Sequence, residues 1–335
     1  MSFLEAQFLV RAGPTAAAVW QNGGHREVRA VNMKSATLAL STLIGLAALS
    51  TPALHAQRAT RPVTKLFISV DMEGITGVVQ PAQLGPAGFE YGQAREWMTG
   101  EVNAAITAAR AEGVKEFVVC DSHGNAQNLL IDKLPDDVRI VRGFPRPLEM
   151  MQGIDASFDG VVFIGYHASE WNVDAVRSHT ISSGRLLGIK LNGAGVMEAV
   201  FNAAIAGHFG VPVLFISGDR VAVAELHKTL PQVEGVVVKD PFGFHSAMTV
   251  TPARGRQLIG DGVTRALRKA GQAVPYTIRT PIDLEVGFKF TPDAERAAYI
   301  PGLSRLDAHV VRGTFADMLT ITKLMQVLTS LEPIQ

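Results

Sequence analysis

Two acidic residues stand one residue apart at the end of an apolar stretch, in the segment "LFISVDMEGITG" that runs from Leu66 to Gly77. The apolar residues predict a buried β-strand, and the glycines predict a turn after it. Side chains at positions i and i+2 of a strand point the same way, so Asp71 and Glu73 are expected on one side. Two carboxylates at this spacing repel each other and raise one pKa unless a cation neutralises them. The pair therefore points to a cation site.

Histidines and a further acid fall at corresponding places along the chain. His123 in "VVCDSHG" and His167 in "FIGYHA" each follow a predicted strand, and His179 lies in "RSHT". Glu198 stands within the apolar segment "GVMEAVFNAAIAG", where an unpartnered carboxylate is costly. Open α/β sheets bind ligands at the carboxyl ends of their strands. We expect these side chains to meet at that edge.

Each of these residues also has an ordinary structural explanation. An acid pair is often a solvated strand end, a histidine after a strand is usually bonded to backbone, and an acid suits a helix N-terminus. Together, however, three carboxylates and two or three imidazoles are too many ligands for one tetrahedral ion. They suit two divalent metals bridged by a carboxylate. Nitrogen and oxygen donors without thiolate favour zinc, with manganese or cobalt as substitutes.

Length and charge exclude several other classes of protein. The chain has 335 residues, 47% of them hydrophobic, with 31 basic and 31 acidic side chains. This length supports one or two domains with full cores. A formal net charge of zero predicts no nucleic-acid partner. The single cysteine, Cys120, excludes an internal disulfide and a thiolate zinc site, and its apolar neighbours predict an inert thiol.

The N-terminal region has the layout of a secretory signal peptide over residues 33–56. Met33 is followed by one lysine, an apolar run from Ala36 to Leu49, and a cleavage site after Ala56. The run is short for a membrane span, so no membrane association is expected after cleavage, and a short anchor is the alternative. Residues 1–32 are interpreted as a mis-assigned start or a disordered extension. The expected location is periplasmic or secreted.

From residue 57 onward, apolar strands alternate with amphipathic helices. This order predicts an α/β fold with a largely parallel sheet flanked by helices. After Asp240 a helix with basic residues in its last turn, further strands and a final helix predict a smaller α+β part. We therefore expect an α/β metal-binding catalytic domain over residues 57–240 and a smaller α+β domain over residues 241–335.

The motifs "SVDMEGITG", "DSHG", "GYHA", "SHT" and the later glutamate segment occur in that order. In this order they resemble the zinc-dependent D-aminopeptidases of the bacterial dipeptide-operon (DppA) type. The resemblance covers nearly all of the chain from about Lys65 to the C-terminal helix. It implies a metallopeptidase that hydrolyses short peptides with an N-terminal D-amino acid, such as D-Ala-D-Ala, by metal-activated water.

The resemblance also implies roles for particular residues. It implies two Zn²⁺ ions per subunit and five metal ligands: Asp71 as the bridge between the ions, Glu73, His123, His167 and Glu198. His179 matches the family's catalytic histidine and would assist the tetrahedral intermediate or move a proton to the leaving amine. The resemblance further implies a homo-oligomer, a ring-like decamer whose channel admits only small peptides. The preference for D-residues comes from the resemblance alone.

Departures from the family pattern carry their own expectations. One extra residue between "GYHA" and "SHT" predicts a shifted loop around His179, and Met197, where the family has a small residue, predicts a narrower pocket. Asp121 is expected to orient a histidine, and Asp219 to line the site or to cap a helix.

Two other functions stay open at this point. One is a different binuclear hydrolase, an amidase or a phosphoesterase, for which Arg177 and Arg220 are the nearby cations by sequence. The other is an exported solute-binding protein, which would not need a cluster of carboxylates and imidazoles.

Overall fold

The computed structural model describes residues 62–330, which form twelve β-strands and six α-helices. The strands are β1 (Lys65–Val70), β2 (Glu116–Asp121), β3 (Arg139–Val141), β4 (Gly160–Tyr166), β5 (Leu186–Leu191), β6 (Ala194–Gly195), β7 (Val213–Asp219), β8 (Glu234–Gly243), β9 (Ser246–Thr249), β10 (Ile282–Phe288), β11 (Ser304–Arg305) and β12 (Val310–Phe315). The helices are α1 (Tyr91–Ala111), α2 (Glu198–His208), α3 (Arg220–Thr229), α4 (Pro252–Lys269), α5 (Thr291–Ala297) and α6 (Met318–Ser330).

The larger sheet has seven strands in the order β3-β2-β1-β4-β7-β8-β9. All neighbouring pairs are parallel except β8 and β9, which are antiparallel. The α/β class with a largely parallel sheet is thus confirmed. The chain runs outward from β1 through β2 and β3, and then returns to β4 and continues in the other direction. The strand order therefore reverses between β1 and β4, where sheets of this kind form a ligand-binding crevice.

Strand β1 is buried on both faces because its apolar residues are continuous. Leu66, Ile68 and Val70 pack in one apolar core with α1 and α4, while Phe67 belongs to the core on the opposite face. Helix α1 presents an apolar stripe with a spacing of three and four residues, which includes Ala94, Met98, Val102, Ala105 and Ile106. Burial of each large apolar side chain contributes about 1.5–3 kcal/mol to the free energy of folding. These contacts hold β1, and therefore the residues that follow it, in a fixed position.

The smaller sheet has five antiparallel strands in the order β11-β12-β10-β5-β6. Strands β5 and β6 precede residue 240 and pair with each other, and β5 also pairs with β10, which follows residue 240. In turn, β9 follows residue 240 and pairs with β8 of the larger sheet. Residue 240 itself lies inside β8. The two sheets are therefore not two consecutive segments of the chain.

The predicted signal peptide, residues 33–56, and residues 1–32 lie outside the described residues. Between residues 62 and 330, none of the helices combines the length and the apolar character that crossing a bilayer requires.

Candidate metal centre

The predicted site residues lie at the strand ends around the point where the strand order reverses. Asp71 directly follows β1, His167 directly follows β4, and His123 lies two residues beyond β2. Glu198 is the first residue of α2, where the helix dipole favours a negative charge. The prediction that these residues meet at the carboxyl edge of the sheet is thus confirmed.

The carboxylate of Asp71 lies between two groups of potential ligands. Its Oδ1 is 3.3 Å from Nδ1 of His123, and its Oδ2 is 3.3 Å from Nε2 of His167. Glu73 Oε2 lies 2.8 Å from the same His123 nitrogen, and Glu198 Oε2 lies 3.3 Å from the His167 nitrogen. Within each group, Asp71–Glu73–His123 and His167–His179–Glu198, one ligand atom per residue lies within 4.8 Å of the others. All six predicted site residues are therefore together.

Backbone carbonyl groups fix the orientation of all three histidines. His123 Nε2 lies 2.8 Å from the carbonyl oxygen of Leu84, so a proton on this nitrogen is donated to that oxygen. His167 uses Nδ1 in the same way toward Ala168 at 3.0 Å, and His179 uses Nδ1 toward Arg177 at 2.7 Å. In the neutral form the other ring nitrogen of each histidine keeps its lone pair and faces the carboxylates. This is the arrangement expected of metal-binding histidines.

While the histidines are neutral, several polar atoms of the site are buried without a hydrogen-bond partner. They are Oδ2 of Asp71, Oε2 of Glu73 and Nε2 of His167. An unpartnered buried polar atom costs about 1–3 kcal/mol, and such atoms rarely cluster without a reason. Here they come from both groups of ligands, and Oδ2 of Asp71 lies 3.3 Å from Nε2 of His167. The donor set of carboxylates and imidazoles fits zinc, so the residues present fit a metal ion.

Attraction between the carboxylates and the histidines stabilises the site in the absence of a metal ion. Burial and the neighbouring Glu73 both raise the pKa of Asp71. Burial alone would lower the pKa values of His123 and His167, but Glu73 and Glu198, respectively, raise them well above the ordinary value. Protons on the histidines thus neutralise the carboxylates in the place where a metal ion would do so.

His179 occupies a less buried position at the edge of the same cluster. Its ring stacks on His167 with a centroid distance of 4.1 Å, and its Nε2 lies 3.8 Å from Oε1 of Glu198. Burial and then the nearby His167 lower the pKa of His179, so its neutral form is favoured. The neighbouring Ile181 donates its backbone N–H to Glu198 at 2.6 Å, which ties the His179 loop to helix α2.

The loop after β1 lies very close to the end of β4, because Gly74 and Gly165 have no side chains that would collide there. A Cβ on Gly74 would lie 2.1 Å from the carbonyl oxygen of Tyr166, and a Cβ on Gly165 would lie 2.4 Å from that of Asp71. Gly165 also has a φ of +71°, which is strained for other residues. The backbone N–H of Gly74 donates to the carbonyl oxygen of Gly165 at 2.7 Å. This hydrogen bond joins the loop after β1 to the end of β4.

A buried lysine, which the sequence did not indicate, binds the backbone of the loop that carries Asp71 and Glu73. Lys239 on β8 donates from Nζ to the carbonyl oxygens of Glu73, Ile75 and Val78, at 2.6, 2.8 and 2.5 Å. Burial lowers its pKa to about 8. Since more than 160 residues separate these partners, no local pattern could have revealed the contact.

Two predictions about neighbouring acids need correction or refinement. Asp121 does not contact a histidine side chain; it accepts from the backbone N–H groups of Asn128 and Leu129 at 2.6 and 2.8 Å. Asn128 in turn donates to the carbonyl of His123 at 2.6 Å, so Asp121 orders the loop rather than the ring. Asp219 caps helix α3 by accepting from Val221 and Ala222, as its structural alternative predicted.

The site opens into a cavity of about 670 Å³, a size that suits a small ligand. Met197 is buried in the core and does not line this cavity, so the predicted narrowing by this residue is wrong. Neither Arg177 nor Arg220 lines it, and Arg220 instead pairs with Asp240 at 2.9 Å. The cations that a phosphoesterase would need are therefore directed elsewhere.

The thiol of Cys120 is buried, and burial raises its pKa to about 11. The prediction of an inert thiol is confirmed.

A family model described as D-aminopeptidase matches residues 64–327. The chain belongs to the D-aminopeptidase family. It is 32% identical over 271 residues to the D-aminopeptidase of Bacillus subtilis (strain 168), which covers 80% of this chain and 97% of that protein. A solved structure, the Zn-dependent D-aminopeptidase DppA from Bacillus subtilis, described as a self-compartmentalizing protease, has a TM-score of 0.77 at 32% identity. That match covers 80% of this chain and 97% of the solved chain. The family resemblance and the enzyme class, a metal-dependent hydrolase, are thus confirmed.

Proposed function

We propose that this D-aminopeptidase family member binds two zinc ions per subunit and releases the N-terminal D-amino acid from short peptides such as D-Ala-D-Ala. The observation that carries the proposal is the position of Asp71, which directs one carboxylate oxygen to each of two ligand groups. A carboxylate in this position suits a bridge between two metal ions. Manganese or cobalt would be accepted by the same donors.

Each of the two ions would be held by its own set of ligands. Asp71, Glu73 and His123 would hold one ion, and Asp71, His167 and Glu198 the other. When bound, the ions supply activation of a water molecule and polarisation of the scissile carbonyl group. The backbone contacts of the three histidines keep the ligand atoms in place and reduce the rearrangement that binding requires.

His179 is proposed as the group that moves protons. Its Nδ1 is engaged with the carbonyl of Arg177, so its Nε2 is the nitrogen available toward the cavity side of Glu198. A neutral imidazole in this position accepts a proton and then passes it to the leaving amine. The cavity of about 670 Å³ has room for a short peptide.

The proposal extends to assembly and location. We propose a homo-oligomer of this chain, with ten subunits as the expected number; the similar solved structure is described as self-compartmentalizing. We also propose export to the periplasm or the exterior, because residues 33–56 have the layout of a signal peptide.

The decisive experiment measures alanine release by the zinc-loaded protein from D-Ala-D-Ala and from L-Ala-L-Ala. Release from the D-dipeptide alone, with two zinc ions per chain by elemental analysis, is the expected result. Asp71→Asn should lower the zinc content to less than one ion per chain, because it removes the charge shared by both groups. Cleavage of the L-dipeptide only, or a wild-type content of one zinc, would contradict the proposal.

A further inference from the structure

The cavity wall carries a carboxylate that is not part of the metal centre. Glu149 begins the short 3₁₀ turn Glu149–Met151, and its side chain lines the cavity. It is only 4% exposed, yet its Oε1 has no hydrogen-bond partner in the described part of the chain. A buried carboxylate oxygen without a partner is unfavourable unless a ligand completes its hydrogen bonding.

The surroundings of Glu149 hold the side chain in place without satisfying it. The side chain of Gln326 on α6 lies near Glu149 and lowers its pKa in part, and Gln326 Oε1 accepts from the backbone N–H of Arg146 at 2.8 Å. The Arg146 guanidinium donates to the carbonyl of Asp121 at 2.7 Å and stacks over Phe144. Within residues 62–330, no ion pair joins Arg146 to Glu149. Nε and Nη1 of Arg146 have no hydrogen-bond partner in the described part of the chain, so the Arg146 charge acts on Glu149 without forming a direct ion pair.

The backbone at Glu149 is also unfavourable for a residue with a side chain. Its φ is +52°, in the left-handed region that glycine or asparagine occupies at lower cost. A strained position that carries a buried, partly unsatisfied acid is typical of a site with a function. Burial raises the pKa of Glu149 to about 7, and the lowering by Gln326 and by the Arg146 charge offsets this only in part.

The charges around the cavity indicate the kind of ligand. Four carboxylates line it: Asp71, Glu73, Glu198 and Glu149. No lysine or arginine is present among the described residues that line it. The first three belong to the metal groups, so bound zinc ions would neutralise them, and Glu149 would remain without an ion-pair partner among the described residues. This step depends on the proposed zinc centre.

We propose that Glu149 accepts an ammonium group of the substrate and so determines which peptides the enzyme prefers. The ammonium group has two sources: the α-amine that every aminopeptidase substrate carries, or the side chain of a basic D-residue such as D-lysine. A hydrogen bond to a charged group adds both affinity and discrimination, and its loss leaves the carboxylate partner unpaired.

The kinetic test compares the zinc-loaded wild type with Glu149→Gln on D-alanyl, D-norleucyl and D-lysyl p-nitroanilides. Loss of a charged hydrogen bond lowers kcat/KM by roughly 10- to 100-fold. A fall confined to the D-lysyl substrate assigns the side-chain ammonium, because norleucine has the same shape without the charge. An equal fall for all three substrates assigns the α-ammonium. A change below about twofold for every substrate, in a variant with full zinc content, would overturn the proposal.

Two control variants separate charge from structural damage. Glu149→Asp keeps the charge and should retain part of the preference. Glu112→Gln is the same substitution in a residue that pairs with Arg268 at the surface, and it should leave all three rates unchanged.

A binding measurement keeps the inference independent of the proposed activity. If the wild type cleaves none of the D-anilides, the proposed function fails, and ligand protection then decides about Glu149. If Glu149 binds the side-chain ammonium, D-lysine should raise the unfolding temperature of the zinc-loaded wild type more than D-norleucine does. If it binds the α-ammonium, D-norleucine should raise this temperature more than Nα-acetyl-D-norleucine does. Comparison of the two norleucine forms reports on the α-ammonium. Glu149→Gln should abolish whichever difference is seen, and the absence of any difference in the wild type would overturn the proposal.

Discussion

At the scale of single residues, His179 has two roles that its geometry allows. Its Nε2 is close enough to Glu198 and His167 to bind the same metal ion. However, Asp71, His167 and Glu198 already form a set of three ligands without it. The structure places all three imidazoles with one nitrogen fixed by a carbonyl group. What distinguishes a ligand from a proton-transfer group is therefore the effect of its removal on metal content.

Replacement of His179 by alanine should leave the zinc content unchanged and lower kcat by roughly 10²–10⁴-fold, the usual range for a general acid-base group. The measurement is elemental analysis of zinc beside single-substrate kinetics with D-Ala-D-Ala. His123→Ala serves as the comparison, because it should lose zinc as well as activity. Loss of zinc in the His179 variant would instead make this residue a ligand.

We expect Glu149 to lower the stability of the protein while it contributes to substrate specificity. Its pKa rises from 4.5 to about 7 on folding, so the folded state binds more protons than the unfolded state between these values. The contribution of Glu149 to stability therefore falls as the pH rises through this window. Glu149→Gln should be more stable than wild type at pH 8 by on the order of 2–3 kcal/mol and by much less at pH 5.

Denaturant unfolding of both metal-free proteins at the two pH values measures this effect without a change in zinc occupancy. The difference between variant and wild type is the relevant quantity, because other groups of the site titrate equally in both. A variant that is less stable at pH 8 would show that the charge is satisfied in the folded protein.

At the scale of elements, most of the parallel sheet could be predicted because its strands are short apolar runs bounded by turns. The smaller sheet was harder. Its strand β5, "LLGIKL", alternates in exposure and contains a glycine, and β6 and β11 have only two residues each. The ligands could be predicted because each one follows a strand or begins a helix. Glu149, Gln326 and Lys239 could not, because only the folded chain brings them to the site.

Lys239 is the clearest case of one element that positions another. It lies on β8 and holds the loop after β1 through three carbonyl groups. Lys239→Met should lower the free energy of unfolding by roughly 2–4 kcal/mol, because three buried carbonyl oxygens lose their donor. It should also weaken zinc binding, because Asp71 and Glu73 lie on that loop.

Denaturant unfolding and zinc titration with a competing chelator measure the two effects. Lys269→Met is the matched control, since Lys269 pairs with Glu234 at the surface and contributes about 0–1 kcal/mol. Unchanged zinc affinity in the Lys239 variant would restrict this lysine to a purely structural role.

At the scale of the whole molecule, the fold brings parts of both sheets to one cavity. Segments that follow strands of the larger sheet supply four of the proposed metal ligands, and helix α2, which follows β6 of the smaller sheet, supplies Glu198. Helix α6, which follows the last strand of the smaller sheet, supplies Gln326, Thr329 and Ser330 to the lining of the same cavity. A substrate in this cavity would lie near both the proposed metal ligands and Glu149. This arrangement separates the chemistry of hydrolysis from the selection of the peptide.

Zinc should stabilise the whole molecule, and by an amount that increases with pH. In the metal-free protein the pKa values of His123 and His167 are raised well above 6.5 by their carboxylate partners. Their protonation contributes stability that is fully present below pH 6.5 and is lost as the pH rises through the folded pKa values. Zinc must displace these protons, so its affinity rises with pH while the metal-free protein weakens.

The difference in unfolding temperature between the zinc-loaded and chelator-treated protein should therefore be larger at pH 8 than at pH 6. Free zinc at 100 times its dissociation constant adds about 2.7 kcal/mol per site, which is a readily measured shift. His123→Ala should reduce the increment, because it removes both a zinc ligand and one of the displaced protons. An increment that is equal at the two pH values would mean that the histidines are neutral before the metal binds, and that the carboxylates are neutralised by their own protons instead.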